Sequence, residues 1–227
     1  MVEAAASRAP LTIDVVTDIV CPWCLIGTEH LTRALDARRD IDVRLRLHPF
    51  LLDPSIPEGG RDLRAYLAKK YGADPERMFE GVVRAGRASG IAFDFSGQPS
   101  FASSVRAHAL VAYAESKDRA WPVHRALMEA NFVTREDISH DDVLARVART
   151  HGLDVDQALA ETRAPAALGA VRERARQASI DGVTGVPFFV FGDALGFSGA
   201  QPVSVFEEVI DRVLAGTIDD EARANDA

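Results

Sequence analysis

The sequence predicts an α/β fold in which a βαβ unit at the front of the chain and a ββα unit at its end enclose a long helical segment. Three observations predict it. A β-branched strand runs directly into a helix near the N-terminus, helical patterns fill the middle of the chain, and strand character returns near residue 187. With 227 residues, of which 47% are hydrophobic, the chain is long enough to bury a sizeable core.

The front unit begins with a strand over residues 11–18, LTIDVVTD, which is rich in β-branched residues and partly alternating. A helical pattern over residues 24–39 follows directly, across a motif that contains both cysteines. The next strand has one buried face, because polar residues separate the apolar residues Ile41, Val43, Leu45 and Leu47.

A Pro- and Gly-containing loop over residues 53–60 separates this unit from the helical segment, residues 62–179. One helix face within that segment is marked by Val143, Leu144, Val147 and Ala148. We expect residues 55–180 to form an inserted helical domain, and residues 1–54 together with 181–227 to form the domain that it interrupts.

The end unit begins with an apolar strand over residues 187–191, and we expect its aromatic residues to be core residues: Phe188, Phe189 and Phe191. Gly192 and Asp193 predict a two-residue turn into a second strand over residues 194–198. The final helix follows Pro202 and places on one face Phe206, Val209, Ile210, Val213 and Leu214.

Charge argues against several classes of partner. The net charge is −8 and the charged residues are dispersed, so no basic stripe is present to bind phosphates or anionic lipids. We therefore expect neither a nucleic acid nor a membrane as partner. Charged residues interrupt the apolar runs near the N-terminus, and no apolar stretch reaches about 18 residues. We expect no signal peptide, no spanning helix and a cytoplasmic location.

Cys21 and Cys24, separated by Pro22 and Trp23, are the two cysteines of the chain. A zinc site needs two further ligands, but the six histidines have no paired spacing and there is no second Cys-x-x-Cys motif. No metal or other cofactor is therefore expected. A disulfide across so short a loop adds little stability, and packing as small buried hydrophobes is the remaining alternative.

The strand-to-helix position of the motif favours a reactive dithiol. Cys21 is expected at or next to the helix N-cap, where unpaired N–H groups and the helix dipole stabilise a thiolate. Pro22 suits the first helical turn, because it has no N–H to leave unpaired. The pattern predicts thiol–disulfide exchange in which Cys21 attacks and the shielded Cys24 resolves the mixed disulfide.

Several further segments accompany the motif, and with them the chain resembles, over nearly its whole length, the thioredoxin-fold oxidoreductases of the DsbA superfamily, in particular the FrnE-like branch. They are the motif with Asp18 before it and Gly27 after it, and the segments HPFLLDP (48–54), EANFVTREDI (129–138), GVPFFV (185–190) and FSGAQP (197–202). The resemblance implies a thioredoxin-like fold with a large helical insertion and protein disulfide oxidoreductase or isomerase activity. It also implies a cis bond between Val186 and Pro187, which positions the sulfur of the partner.

One position departs from the resemblance. Thioredoxin and DsbA carry an acidic residue six positions before the first cysteine, where this chain has Val15, and Asp18 is the nearer acid. We expect Trp23 to line a substrate groove. Three histidines are expected to be ordinary packing or surface residues rather than catalytic bases: His48, His108 and His124.

The expected partners are protein or small-molecule thiols and disulfides, with glutathione as one candidate. Two alternatives remain. The first is a glutathione-dependent isomerase or transferase acting on a small aromatic or polyketide-like molecule, although the related enzymes have Ser where this chain has Cys21. The second is a chaperone-like module that binds client proteins while its thiols are incidental. The sequence does not indicate an oligomeric state.

Overall fold

Strands and helices alternate at the two ends of the chain, and helices fill its middle. The structure is a computed structural model that describes residues 10–96 and 100–216. Its elements, in chain order, are β1 (Leu11–Thr17), α1 (Pro22–Asp36), β2 (Val43–Pro49), β3 (Arg61–Asp62), α2 (Leu63–Tyr71), α3 (Pro75–Ala88), β4 (Ser100–Phe101), α4 (Val105–Glu115), α5 (Ala120–Phe132), α6 (Asp141–Thr150), α7 (Val155–Glu161), α8 (Pro165–Ile180), β5 (Phe188–Phe191), β6 (Leu195–Ser198) and α9 (Val203–Ala215).

The main sheet has four strands in the order β2-β1-β5-β6. β1 pairs in parallel with β2 and antiparallel with β5, and β5 pairs antiparallel with β6. Because β1 is a central strand, almost all of its side chains are buried. The predicted α/β fold, with βαβ at the front and ββα at the end, is confirmed, and the carboxyl end of β1 leads directly to the cysteine motif.

Some predicted boundaries were wrong. The last strand begins at Leu195, because Ala194 closes the turn through a hydrogen bond from its N–H to the Phe191 carbonyl, 3.1 Å. Gly192 and Asp193 form that turn with φ of 60° and 58°. The short ladder between β3 and β4 was not predicted, because strands of two residues show no alternation. The first helix begins at Pro22, as the predicted N-cap position of Cys21 implies, and ends at Asp36 rather than at residue 39.

One apolar core joins the sheet to the helical segment. It contains Ile13 and Phe189 from the sheet and Leu110 and Leu127 from α4 and α5, all of them fully buried. The division into residues 1–54 with 181–227 and an inserted domain 55–180 remains a proposal. It is supported by the origin of the main sheet, since all four of its strands come from outside the inserted range.

The structure also tests the predicted core residues of β5 and α9 and the expected absence of a spanning helix. Phe189 and Phe191 are fully buried as predicted, whereas Phe188 is half-buried on the other face of β5. Phe206 and Ile210 bury the apolar face of α9. Among the described residues, no helix is both long enough and apolar enough to cross a membrane.

Gly27 sets how closely α1 approaches β5. A Cβ atom at this position would lie 2.8 Å from Cγ of Pro187 and 3.2 Å from Cζ of Phe189. Neither group has room to move, because Pro187 is a buried ring and Phe189 is fully buried. The absence of a side chain at Gly27 therefore lets the helix that carries the dithiol pack directly on the strand that follows Pro187.

We expect Gly27→Ala to lower the free energy of unfolding by about 1–3 kcal/mol, because the added methyl group overpacks this contact. Gly81→Ala is the matched control. Gly81 also lies within a helix, and no described atom lies within 4 Å of a Cβ built there. That substitution should raise stability by about 0.5–1 kcal/mol through helix propensity. Urea denaturation measures both, and equal effects of the two substitutions would contradict the close contact.

Candidate active site

Cys21 is the N-cap of α1, as predicted. Its backbone is extended, with φ of −99° and ψ of 111°, and Pro22 occupies the first helical position. The Cys21 N–H donates to the Asp18 carbonyl, 3.0 Å, and the Cys24 N–H donates to the Cys21 carbonyl, also 3.0 Å. The tight connection between β1 and α1 therefore holds both cysteines on the first turn of the helix.

Both cysteines are free thiols in the structure, but their surroundings differ. Cys21 is 4% exposed, whereas Cys24 is fully buried beneath it. Burial raises the pKa of the Cys24 thiol well above its usual range, and the neighbouring Cys21 sulfur raises it further. The backbone N–H of Asp18 and the hydroxyl of Thr17 act in the opposite direction, because both offer hydrogen bonds to the Cys24 sulfur. Cys24 is therefore a thiol that holds its proton firmly.

The loop before β5 brings Val186 next to the dithiol across 165 residues of sequence. The Cys21 thiol donates a hydrogen bond to the Val186 carbonyl, with 3.6 Å between sulfur and oxygen. The peptide bond between Val186 and Pro187 is cis, as the resemblance implied. Pro187 itself is buried, behind the carbonyl that faces Cys21.

An apolar cavity of about 440 Å³ opens in front of Cys21. Four of the predicted site residues line it: Cys21, Pro22, Trp23 and Val186. Trp23 is 44% exposed and stands at its rim. The other two predicted site residues, Cys24 and Pro187, lie in the protein behind this surface. The structure thus brings all six predicted site residues together. Four of them form part of the cavity wall, and the other two are buried directly behind it.

The far wall of the cavity comes from the helical segment and was not predicted. Lys70 of α2 donates to the Leu52 carbonyl, 3.0 Å, and to the Tyr66 hydroxyl, 2.9 Å, and its Nζ lies 5.6 Å from the centre of the Tyr71 ring. Burial raises the pKa of Tyr71, and negative charge on the nearby Cys21 sulfur would raise it further. In the sequence these residues lie far from the cysteine motif and have the pattern of ordinary helix residues.

Asp18 and two histidines form a buried polar group below the dithiol. The Asp18 carboxylate accepts a hydrogen bond from the Leu52 N–H, 2.8 Å, and lies 3.4 Å from Nε2 of His108. His124 is fully buried, with its Nε2 3.2 Å from the Thr17 hydroxyl oxygen. Burial lowers the pKa of His124 to about 3, helped by the charges of His108 and Arg125. As predicted, His108 and His124 are packed residues, and His124 is neutral near pH 7.

The fold and the paired thiols together define a thioredoxin-fold protein of the thiol oxidoreductase class. Residues 12–211 match the model of the DSBA-like thioredoxin domain, and the chain belongs to that family. The thioredoxin-like fold that the sequence predicted is confirmed.

The chain is similar to a probable DsbA oxidoreductase from Streptomyces coelicolor. The two are 30% identical, with a TM-score of 0.82 and 90% of each chain covered. It is also similar in fold to the cytosolic disulfide reductase DsbM from Pseudomonas aeruginosa with GSH, at 19% identity and a TM-score of 0.63, covering 90% of this chain and 99% of the other.

A curated relative matches a shorter stretch. This is the ClpXP adapter protein SpxH from Shouchella clausii, which is 30% identical over 96 residues, or 40% of this chain. The chain spans 32% of the length of that relative.

We expect iodoacetamide to modify Cys21 before Cys24, because Cys21 faces the cavity and only a thiolate reacts. The single-thiol variants Cys24→Ser and Cys21→Ser separate the two rates. Cys21→Ser, in which only Cys24 can react, should be alkylated at least about tenfold more slowly than Cys24→Ser. The reason is that each unit by which the pKa is raised reduces the thiolate fraction tenfold. Both variants should react equally in urea. Faster labelling of Cys24 in the folded protein would contradict this assignment.

We expect His124 to make the protein less stable in acid. Its pKa is lower in the folded state, about 3, than in the unfolded state, about 6.5, so its contribution is complete above pH 6.5 and is lost as the pH falls. Around pH 5 the loss is roughly 1.4 kcal/mol per pH unit. Urea denaturation of the wild type and of His124→Gln at several pH values isolates this contribution, and parallel stability curves would contradict it.

Proposed function

We propose that the protein is a thiol–disulfide oxidoreductase or disulfide isomerase that acts through Cys21 and Cys24 in the cytoplasm. One observation carries the proposal. Cys21 is a helix N-cap that opens onto an apolar cavity, and a second thiol with a raised pKa lies buried one turn below it. This is the arrangement that thiol–disulfide exchange requires: one accessible sulfur that attacks and one shielded sulfur that responds.

The exchange has two steps. The Cys21 thiolate attacks one sulfur of the substrate disulfide, the disulfide breaks, and the other substrate sulfur leaves as a thiolate. Cys24 then loses its proton and attacks Sγ of Cys21, and the remaining substrate thiolate departs as the Cys21–Cys24 disulfide forms. The substrate is reduced by two electrons and the protein is oxidised by two. The reverse sequence oxidises a dithiol substrate.

Val186 supports the proposal because its carbonyl lies beside the attacking sulfur. An extended substrate segment that pairs with the backbone before Pro187 would place its own sulfur next to Cys21. Trp23 at the cavity rim offers an aromatic surface to the same segment. We assign substrate positioning to Pro22, Trp23, Val186 and Pro187 on this basis.

The composition of the cavity favours a mainly apolar substrate. Aromatic and aliphatic side chains form most of its lining, including Phe79, Phe95, Phe101 and Phe132. Such a surface suits an apolar segment of a protein that carries a thiol or disulfide. Glutathione is a candidate for the redox partner, because the similar Pseudomonas aeruginosa reductase is described with GSH.

A cavity of about 440 Å³ also has the size of a small-molecule site, which favours a glutathione-dependent isomerase or transferase as the second candidate. Cys21→Ser distinguishes the two. Turnover of an aromatic substrate with glutathione that survives this substitution would support the second candidate. Protection of an unfolded client by the double Cys→Ser variant would instead support the chaperone-like alternative.

We expect Cys24→Ser to accumulate covalent mixed disulfides in cells, because the attacking Cys21 remains and the resolving thiol is gone. Cys21→Ser differs by the same single atom and should accumulate none. Cells are quenched with acid, alkylated, and analysed on non-reducing gels, followed by mass spectrometry of the bands. Equal trapping by the two variants would refute the assigned roles.

A further inference from the structure

The buried thiol of Cys24 must lose a proton before it attacks, and the route for that proton is not obvious from the sequence. The position where thioredoxin and DsbA carry an acid is Val15, which is fully buried and has no proton-accepting group. The Asp18 carboxylate accepts hydrogen bonds from the Leu52 N–H and the Val20 N–H instead. Asp18 reaches the Cys24 sulfur through its backbone.

Thr17 and His124 form a hydrogen-bonded connection to the same sulfur. The Thr17 hydroxyl lies within hydrogen-bonding reach of the Cys24 sulfur, and its oxygen is 3.2 Å from Nε2 of His124. Both residues are buried: the exposed fraction is 1% for Thr17 and 0% for His124. The connection therefore runs from the sulfur into the core across 107 residues of sequence separation.

The surroundings of Nδ1, the other ring nitrogen of His124, differ from those of Nε2. In the part of the chain that the structure describes, Nδ1 is a buried side-chain atom without a hydrogen-bond partner. Orphaned buried polar atoms are rare in native proteins, and they indicate a bound water or a functional role. His124 also lines a small cavity of about 20 Å³, which is large enough for one water molecule.

The lining of this small cavity includes His124 and residues of the protein surface. Its outer boundary includes three partly exposed side chains, His48, Glu115 and Arg174, whose exposed fractions are 38%, 54% and 43%. A water molecule in the cavity would therefore lie beside His124 and close to groups that exchange protons with solvent.

We propose that Thr17 and His124 relay the proton of Cys24 to solvent, through the small cavity beside His124. The inference rests on the proposed dithiol exchange and adds to it the residues that serve the resolving step. It also gives His124 a role beyond the packing that the sequence predicted.

The relay is balanced at each atom. The Cys24 proton moves to the Thr17 oxygen as the Thr17 hydroxyl proton moves to Nε2 of His124, and the proton on Nδ1 moves to water in the cavity. Thr17 remains a neutral hydroxyl and His124 remains a neutral imidazole in its other tautomer. The electron pair left on Cys24 forms the bond to Cys21 Sγ, and the bond from Cys21 to the substrate sulfur breaks. The low pKa of His124 is consistent with a ring that stays neutral throughout.

The environment of His124 includes several groups whose charge affects the relay. They come from four elements: His48 on β2, His108 and Glu115 on α4, Arg125 on α5, and Arg174 on α8. The uncharged Trp121 on α5 stacks on the His124 ring. Because these groups contribute to any pH profile of the whole protein, the test compares matched variants rather than the wild type alone.

Rapid mixing of the reduced, full-length protein with a small amount of dithiobis(nitrobenzoate) tests the relay. Attack by Cys21 releases a first coloured nitrothiobenzoate, and attack by Cys24 on the resulting mixed disulfide releases a second. We expect Thr17→Val to slow the second release by about 100-fold at pH 7, while the first keeps its rate. Thr17→Ser keeps the hydroxyl and should stay close to the wild type.

His124→Gln separates a relay from a static hydrogen bond. The side-chain amide of glutamine can still form a hydrogen bond with the Thr17 hydroxyl, but it does not take up a proton at one atom while releasing one from another, so the second release should slow to a similar extent. For both slow variants the deficit should shrink as the pH rises, because direct ionisation of Cys24 replaces the relay. A structural defect would not show this pH dependence.

Three results would overturn the relay: a second release at the wild-type rate in Thr17→Val, the same in His124→Gln, or a deficit that is equal at every pH. If His124→Gln does not fold, the Thr17→Val and Thr17→Ser pair decides the question. Absence of the second release in the wild type would refute the resolving role of Cys24, and with it the proposed function. A normal wild-type trace with unaffected variants would refute the relay alone.

Discussion

The site depends on one geometric constraint: Cys21 must face a cavity while Cys24, one helical turn below, is completely buried. The end of β1 imposes it, because the Asp18 carbonyl accepts a hydrogen bond from the Cys21 N–H and the Asp18 carboxylate accepts one from the Leu52 N–H. The first bond fixes the start of α1 at the end of β1, and the second ties the end of β1 to the loop that follows β2. Gly27 then allows the helix to pack close to Pro187, which brings the Val186 carbonyl to the Cys21 sulfur. Displacement of any of these contacts would separate the attacking sulfur from the groups beside it.

The helical segment contributes the surface that faces the dithiol. Its aromatic side chains pack on one another, with the rings of Phe79 and Phe95 stacked at 4.5 Å and those of Tyr66 and Phe101 at 4.8 Å. A wall of this kind lowers the local dielectric beside Cys21, so charges near the sulfur interact more strongly there than in water. Lys70 brings a positive charge to this wall, held by the Leu52 carbonyl and the Tyr66 hydroxyl.

Below the dithiol the protein buries polar groups where apolar residues would be less costly. Thr17, Asp18, His108 and His124 are each no more than 4% exposed, and burying a polar group without a partner costs free energy. Most of their hydrogen-bonding atoms have partners, such as the Leu52 N–H for Asp18. The Nδ1 atom of His124 is the exception among the described residues, and it lies in the chain of groups that reaches Cys24. This placement is easier to understand as part of the chemistry of Cys24 than as packing.

The sequence by itself determined the features that depend on local pattern. The strand that leads into the cysteine motif, the N-cap position of Cys21, the final hairpin and the apolar face of α9 follow from periodicity and turn chemistry. The resemblance added the cis bond before Pro187. Only the tertiary structure decided which distant residues meet at the dithiol. Periodicity indicates whether a side chain is buried but not what it contacts. In the sequence, Tyr71 therefore has the pattern of an ordinary helix surface residue, and His124 has that of an ordinary packing residue. The two-residue strands β3 and β4 are too short for any pattern. The role proposed for His124 depends on an oxygen 107 residues away, and no local property of the sequence encodes that distance.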